Sequence, residues 1–382
     1  LILRYIIILS NINLAASLTF FLIPASSCRT SMTGSALSNL WRNVLFVFPA
    51  VCFTINLSVA TSPPKGVSKD IVCFFPRLNK LPKQCSIVVI KEAVASSSGV
   101  QFISPTARLF RDRSRSPSFY KKQDALSASK MIAKIRKKIR DVKIYQLLTI
   151  NVENQNDPIS KPMLELLSSN LVQAGYDGYT LDTENLDKVI VEKAMEAVLQ
   201  IKSYAKSSHM ILVRNTHLET DFSDKITKFD YIVLETFGIG LQQDRVTAYA
   251  PTVKMIEVFT LWNNKFPEVK IIPSLDFGGI MYQTVAATPC LGCQGTLSDK
   301  VILYKDVCHP TWHAHHYDHV NKTSYIVSGH KYISIDLHMS VLDKAKYVKT
   351  NCPGIAVFHS HFDSYMGKCE NLMSAIVNKL IG

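Results

Sequence analysis

The chain has 382 residues, with 43 Lys and Arg against 30 Asp and Glu, a net charge of +13. Hydrophobic residues make up 47% and charged ones 19%, which excludes disorder, and 15 Gly with 16 Pro exclude collagenous or low-complexity sequence. The charge is uneven: residues 1–143 carry 22 basic and 5 acidic side chains, residues 144–382 carry 21 and 25, so the total argues weakly for a polyanionic partner.

The chain opens at Leu1 without Met, and residues 1–31 read as an upstream or fragmentary apolar segment. A second apolar run, 43–60, follows Met32 and Arg42 and ends Ser58-Val59-Ala60 before Thr61-Ser62-Pro63-Pro64. Charge, apolar run and small residues in that order make a secretory signal peptide over 32–60. An uncleaved anchor is the alternative, since about 18 apolar residues is the lower edge of spanning length. Pro49, Thr54, Asn56 and Ser58 weaken a membrane helix and favour cleavage. A linker over 61–69 then leads into a body at 70–382, and the expected product is extracellular, with no stable membrane insertion.

Cys28 and Cys52 fall in the segment expected to be lost. That leaves Cys73, Cys85, Cys290, Cys293, Cys308, Cys352 and Cys369, an odd number, so one thiol is unpaired or paired externally. Cys290-Leu-Gly-Cys293 has no second CxxC to complete a zinc site, and in an exported chain disulfides are the expected use. Asn321-Lys322-Thr323 is a glycosylation acceptor.

From Asp70 onward, eight short apolar runs predict strands: 71–75, 86–90, 143–150, 176–182, 210–213, 230–235, 269–275 and 354–358. Between them lie amphipathic patterns. Met131, Ile135 and Ile139 recur every four residues opposite Lys134, Lys137, Lys138 and Arg140. Pro162 and Gly175 bracket a helix over 160–174, Leu186 to Leu199 marks another, and a further one is expected at 244–266. Near-continuous apolar strands alternating with helices mean a parallel sheet. Eight units over about 310 residues predict an α/β fold, a (β/α)8 TIM barrel, with a small subdomain inserted between strands 7 and 8 at about 279–340. The basic stretch 108–140 reads as a solvated helix face plus a charged loop, so no nucleic-acid partner is expected.

In such a barrel, chemistry sits at the carboxyl ends of strands. The fourth predicted strand ends in YDGYTLDTE (176–184), where alternation sends Thr180, Asp182 and Glu184 to one side. Two carboxylates two residues apart in an enclosed site resist joint ionisation, and a carboxyl that keeps its proton is what a general acid requires. The bland alternative is two acids beside the start of the next helix.

This segment resembles the DGxDxDxE signature of glycoside hydrolase family 18, the chitinases and chitinase-like proteins, in an arthropod-type and degenerate form. IVCFF (71–75), FDYIVLETF (229–237), SVLDKA (340–345), GIAVF (354–358) and GKC (367–369) resemble its other segments in the same order, so the likeness covers about 70–382. It implies Cys73–Cys85 and Cys308–Cys369 disulfides and substrate-assisted, retaining hydrolysis of β-1,4-linked N-acetylglucosamine polymers. Glu184 would protonate the glycosidic oxygen, the substrate's acetamido carbonyl would attack C1, and Asp182 would stabilise the oxazolinium. Asp177, Tyr179, Thr180, Phe237 and Phe358 would line the substrate.

The departures are as telling. Thr180 replaces the usual inner carboxylate, Phe237-Gly238 the usual Tyr-Asp, and Phe358 a Trp that floors the sugar subsite, though an apolar stacking face would remain. One lost donor in an active site costs on the order of 10²–10³ in rate. The expectation is a chitinase-like hydrolase of reduced activity or, alternatively, a lectin or growth-factor-type protein using the groove without turnover. Chitin or its oligosaccharides would be the partner of a monomer that needs no cofactor. The cluster His309, His313, His315, His316 and His319 around Trp312 reads as an exposed polar loop rather than a metal site, and Trp262 as core. His359, His361 and Asp363, after the last strand, are candidates to hydrogen-bond sugar hydroxyls.

Overall fold

The computed structural model describes residues 43–48, 51–56, 69–74, 81–96, 99–103, 125–151, 160–184, 186–308, 315–363 and 369–381. The chain divides into two units, 1–64 and 65–382. In the first, Asn43–Phe48 and Val51–Asn56 pair as an antiparallel hairpin, in register from Asn43 opposite Asn56 to Phe48 opposite Val51. The 1–31 segment and the remainder of the 32–60 signal expectation lie outside the described residues, as does most of the 61–69 linker. Among the described residues no helix is long and apolar enough to cross a membrane.

In the second unit, eight parallel strands close into a barrel: β1 (Asp70–Phe74), β2 (Ile87–Ser96), β3 (Lys143–Asn151), β4 (Gly178–Asp182), β5 (Met210–Val213), β6 (Tyr231–Leu234), β7 (Ile271–Asp276) and β8 (Gly354–Phe358). Each pairs with its neighbours in chain order, and β8 returns to β1 to complete the ring. Their side chains are buried on both faces, which is why the strands read as unbroken apolar runs. Val72, Phe74, Ile87, Val89, Leu147, Met210, Leu212, Val233, Ile272 and Ala356 fill the lumen. The alternate residues pack outward, with Ile135, Leu167, Val198, Phe259 and Val348 among the helical side chains in that outer core.

Helices α1 (Ala125–Lys138), α2 (Lys161–Ala174), α3 (Lys188–Ala205), α4 (Thr252–Lys265), α5 (His338–Asn351) and α6 (Leu372–Ile381) belong to this unit. Local chemistry sets their ends. Gly175 closes α2 in the left-handed region (φ 81°), and the Asp187 carboxylate caps α3 by accepting the Ile190 N–H at 2.8 Å. The exposed face of α1 holds Lys130, Lys134 and Lys137 in solvent.

Two expectations need correction. The 244–266 helix starts only at Thr252, because Pro251 cannot continue a helix upstream of itself; Val246 instead bonds to the Cys293 carbonyl. And β2 does not stop at Ile90 but shifts register between Ile90 and Glu92, runs on to Ser96, and pairs with an antiparallel strand, Gly99–Ile103. The polar Lys91-Glu92 interrupts the apolar run that marks the strand in sequence.

Between β7 and β8 lies the subdomain, an antiparallel sheet of Gly278–Thr284, Gly295–Leu297, Ile302–Leu303, His315–Asp318, Thr323–Ser328 and Lys331–Ile335. Its first strand leaves β7 after a single residue, so the sheet grows directly out of the barrel's carboxyl end. Cys308–Cys369 ties it to the segment after β8, Cys290–Cys293 closes a short loop within it, and Cys73–Cys85 holds β1. Cys352 is a buried free thiol, and burial pushes it far above its ordinary range.

Candidate functional site

Register decides what the barrel presents at its carboxyl end. Leu147, Thr180 and Met210 stand side by side on β3, β4 and β5, and Thr149, Asp182 and Leu212 form the next row. Leu147, Met210 and Leu212 belong to the lumen, so Thr180 and Asp182 point inward as alternation predicts. Continuing the alternation past the ends of β5 and β6 turns Arg214 and Glu235 toward the same space.

There the charges meet. Arg214 Nε and one terminal nitrogen each lie 2.7 Å from an Asp182 carboxylate oxygen, a bidentate pair on a fully buried acid. The same terminal nitrogen donates to Glu184 Oε2 at 3.2 Å, and the other donates to Glu235 Oε1 at 2.9 Å. The Asn215 N–H binds the second Glu235 oxygen at 3.0 Å. The Glu184 side chain stays 39% exposed, while that of Arg214 is 14% exposed. Burial alone would lower the guanidinium, but Asp182, Glu235 and Glu184 hold it well above its ordinary value. Burial pushes the Glu235 carboxyl up, with Arg214 opposing.

A second polar group stands beside it. Asp276 ends β7 fully buried, and His359, directly after β8, donates from Nδ1 to Asp276 Oδ1 at 2.7 Å. The Gly278 N–H reaches the same oxygen at 2.9 Å, and the Tyr249 hydroxyl donates to Oδ2 at 2.7 Å. Burial works against the Asp276 carboxylate, yet His359 and these hydrogen bonds keep it below the usual range.

Not every expected residue joins this site. Tyr179 faces outward, its hydroxyl donating to the Leu167 carbonyl of α2 at 2.8 Å. Asp177 lies at the amino end of β4, where it pairs with Arg136 and accepts the Ile144 N–H at 2.7 Å. Both therefore serve the barrel wall instead of a ligand, because the strand's period of two and its length place them on the wrong face and the wrong end. Thr180 lies fully buried beneath Asp182, its hydroxyl without a hydrogen bond. Phe358 keeps no open stacking face: Phe74 lies parallel to it, with centroids 4.3 Å apart and planes at 6°, and Phe237 meets it edge-on at 5.1 Å. Both Phe237 and Phe358 are buried.

Of the groups after β8, Asp363 caps α6 through the Leu372 and Met373 N–H groups, and His361 is buried. Trp262 is core and donates to the Leu218 carbonyl. Asn321 lies in the turn between two subdomain strands, donating to Asp318 at 2.7 Å. His309, His313 and Trp312 lie outside the described residues. Among the described residues no group of three or more His, Cys, Asp and Glu could hold a metal.

Sequence reasoning passed over Arg214 and Glu235. The signal was present: each is the first charged residue after an apolar strand run, MILV-Arg214 and YIVL-Glu235, the position where barrel function resides.

Fold and site define a closed (β/α)8 barrel with an antiparallel insertion before its last strand and a knot of acids around one arginine at its mouth. Neither protein-family models nor curated protein sequences match the chain. Solved structures do, and they are family 18 chitinases and chitinase-like proteins. An immunomodulatory active chitinase from Trichuris suis, TsES1, is 16% identical over 82% of this chain and 100% of its own, at a TM-score of 0.65. The Ostrinia furnacalis Group IV chitinase is 13% identical with the same coverage of both chains, at 0.66. YKL-39, solved in the presence of chitooligosaccharides, is 15% identical, again over 82% and 100%, at 0.64. At such identities the likeness is one of fold.

Proposed function

We propose that this chain is an exported chitinase-like protein that binds β-1,4-linked N-acetylglucosamine oligosaccharides at the barrel mouth and does not hydrolyse them. The arginine carries the reading. In the resembled chemistry Asp182 stabilises the reacting acetamido group, and here both its oxygens are taken by Arg214. Glu184, the acid of the resembled motif, shares the same guanidinium. Thr180 brings no carboxylate, Phe237 no hydroxyl, and Phe358 is already stacked on Phe74 and met edge-on by Phe237. Three disulfides among six cysteines fit an oxidising compartment, which supports export. Binding of chitooligosaccharides rests on the fold shared with YKL-39 and the chitinases.

One observation favours the hydrolytic alternative. Glu184 is retained with its side chain 39% exposed, where it could reach a glycosidic oxygen. On that reading a bound sugar draws Glu184 and Asp182 off Arg214, and the acetamido carbonyl closes on C1 as the glycosidic oxygen is protonated.

A fluorogenic chitooligosaccharide assay, run on the purified protein beside Glu184→Gln, separates the two. The expected outcome is the same background signal from both, with chitotetraose binding detectable by calorimetry in both. Turnover by the wild type that disappears in Glu184→Gln overturns the binding reading.

A further inference from the structure

The Asp276–His359 pair has the build of an oriented acid–base group, and the resembled motif assigns it nothing. Both oxygens of the Asp276 carboxylate are engaged: Oδ1 accepts from the Gly278 N–H and His359 Nδ1, and Oδ2 accepts from Tyr249. A carboxylate so held fixes the imidazole tautomer with its hydrogen on Nδ1, leaving Nε2 as the nitrogen for a ligand. The ring is clamped as well, stacked on Phe362 at 4.8 Å and 8°. His359 adopts φ 50° and ψ 35°, a left-handed conformation uncommon for a residue other than Gly. Its side chain is nevertheless 33% exposed, at the carboxyl end of β8 where barrel ligands sit.

We propose that His359 is a proton-dependent ligand contact of the mouth: its imidazolium Nε2–H donates to the acetamido carbonyl of a bound N-acetylglucosamine unit, in place of the hydroxyl that Phe237 lacks. The inference rests on the carbohydrate-binding reading. An amide carbonyl only accepts hydrogen bonds, so it keeps this partner only while the imidazole carries both protons. The charged groups around the ring are Asp276 from β7, Arg214 after β5 and Glu235 after β6; Tyr249 reaches it through Asp276, and His361 lies 6.0 Å away ring to ring. Burial, the largest influence, and Arg214 oppose the imidazolium, but Asp276 with Glu235 raises it above its ordinary 6.5. The hydrogen bond is therefore complete at mildly acidic pH and is lost as pH climbs through that raised value.

The test is calorimetric titration of the full chain with chitotetraose at pH 5.5 and pH 8.5, on wild type and His359→Asn. Asn tolerates the left-handed backbone and can still donate to Asp276, but it does not titrate. Losing one hydrogen bond to a charged donor predicts wild-type binding about tenfold weaker at pH 8.5. His359→Asn should bind equally at both values, at the weak level. Wild-type affinity unchanged between the two pH values, or His359→Asn retaining the wild-type pH response, overturns this inference alone. No binding at either pH overturns the carbohydrate reading and this inference with it.

Discussion

Arg214 holds together what would otherwise be a costly group of acids. Asp182 is fully buried, and without its guanidinium partner it would carry an unpaired charge in the lumen. Removing one member of a buried pair typically costs about 3–5 kcal/mol. Arg214→Met should therefore lower unfolding free energy by about that amount in urea titrations, whereas Glu184→Gln, on a half-exposed side chain, should shift it by less than about 1 kcal/mol. Equal and small effects would mean that Arg214 does not secure Asp182. The arginine was hard to see in sequence for a physical reason. Its partners lie on β4 and after β6, and only the parallel register places them within reach of one side chain. Phe358 misled in the same way: a residue type can announce an aromatic face, but Phe74, about three-quarters of the chain away, decides whether that face is open.

Elements were more readable than contacts. The eight barrel strands follow the apolar runs, since burial on both faces leaves no polar alternation to blur them. Gly175 and Pro162 mark α2 because their backbone preferences act locally. What escaped was the returning strand at Gly99–Ile103, whose partner half of β2 begins with Lys91-Glu92. The disulfides offer a test at this scale. Cys308–Cys369 closes 61 residues and Cys290–Cys293 only 3. Loop-closure entropy predicts a stabilisation of about 4 kcal/mol from the first and less than about 2 kcal/mol from the second. Paired Cys→Ala substitutions at each bridge, compared by urea denaturation, should show that order; the reverse order would mean that chain entropy is not what the long bridge supplies.

For the whole molecule, two histidines set opposite limbs of a pH–stability curve. His209 is buried, with Nδ1 accepting the Tyr179 N–H and Nε2 paired with Ser207, and burial holds its imidazole down at about 4. The unfolded chain takes up that proton near pH 6.5 and the folded chain does not, so stability falls as pH drops from 6.5 to about 4, by roughly 3 kcal/mol. His359 acts in the other direction. Its folded value is raised, so its contribution is complete below 6.5 and is lost as pH rises from there through the raised folded value. Unfolding free energies measured from pH 4 to 9 should peak near 6.5, with His209→Gln flattening the acid limb and His359→Asn the alkaline one; a profile untouched by either substitution would refute the assignment. Two glycines at the far rim add a last point. A Cβ on Gly178 would lie 1.6 Å from the Ser208 carbonyl oxygen, and one on Gly354 would lie 2.2 Å from that of Asp70. These tight seams open β4 and β8, half a circuit apart. A hoop has no loose end to absorb slack, so a methyl group wedged into either seam must be accommodated by every other joint around the circumference.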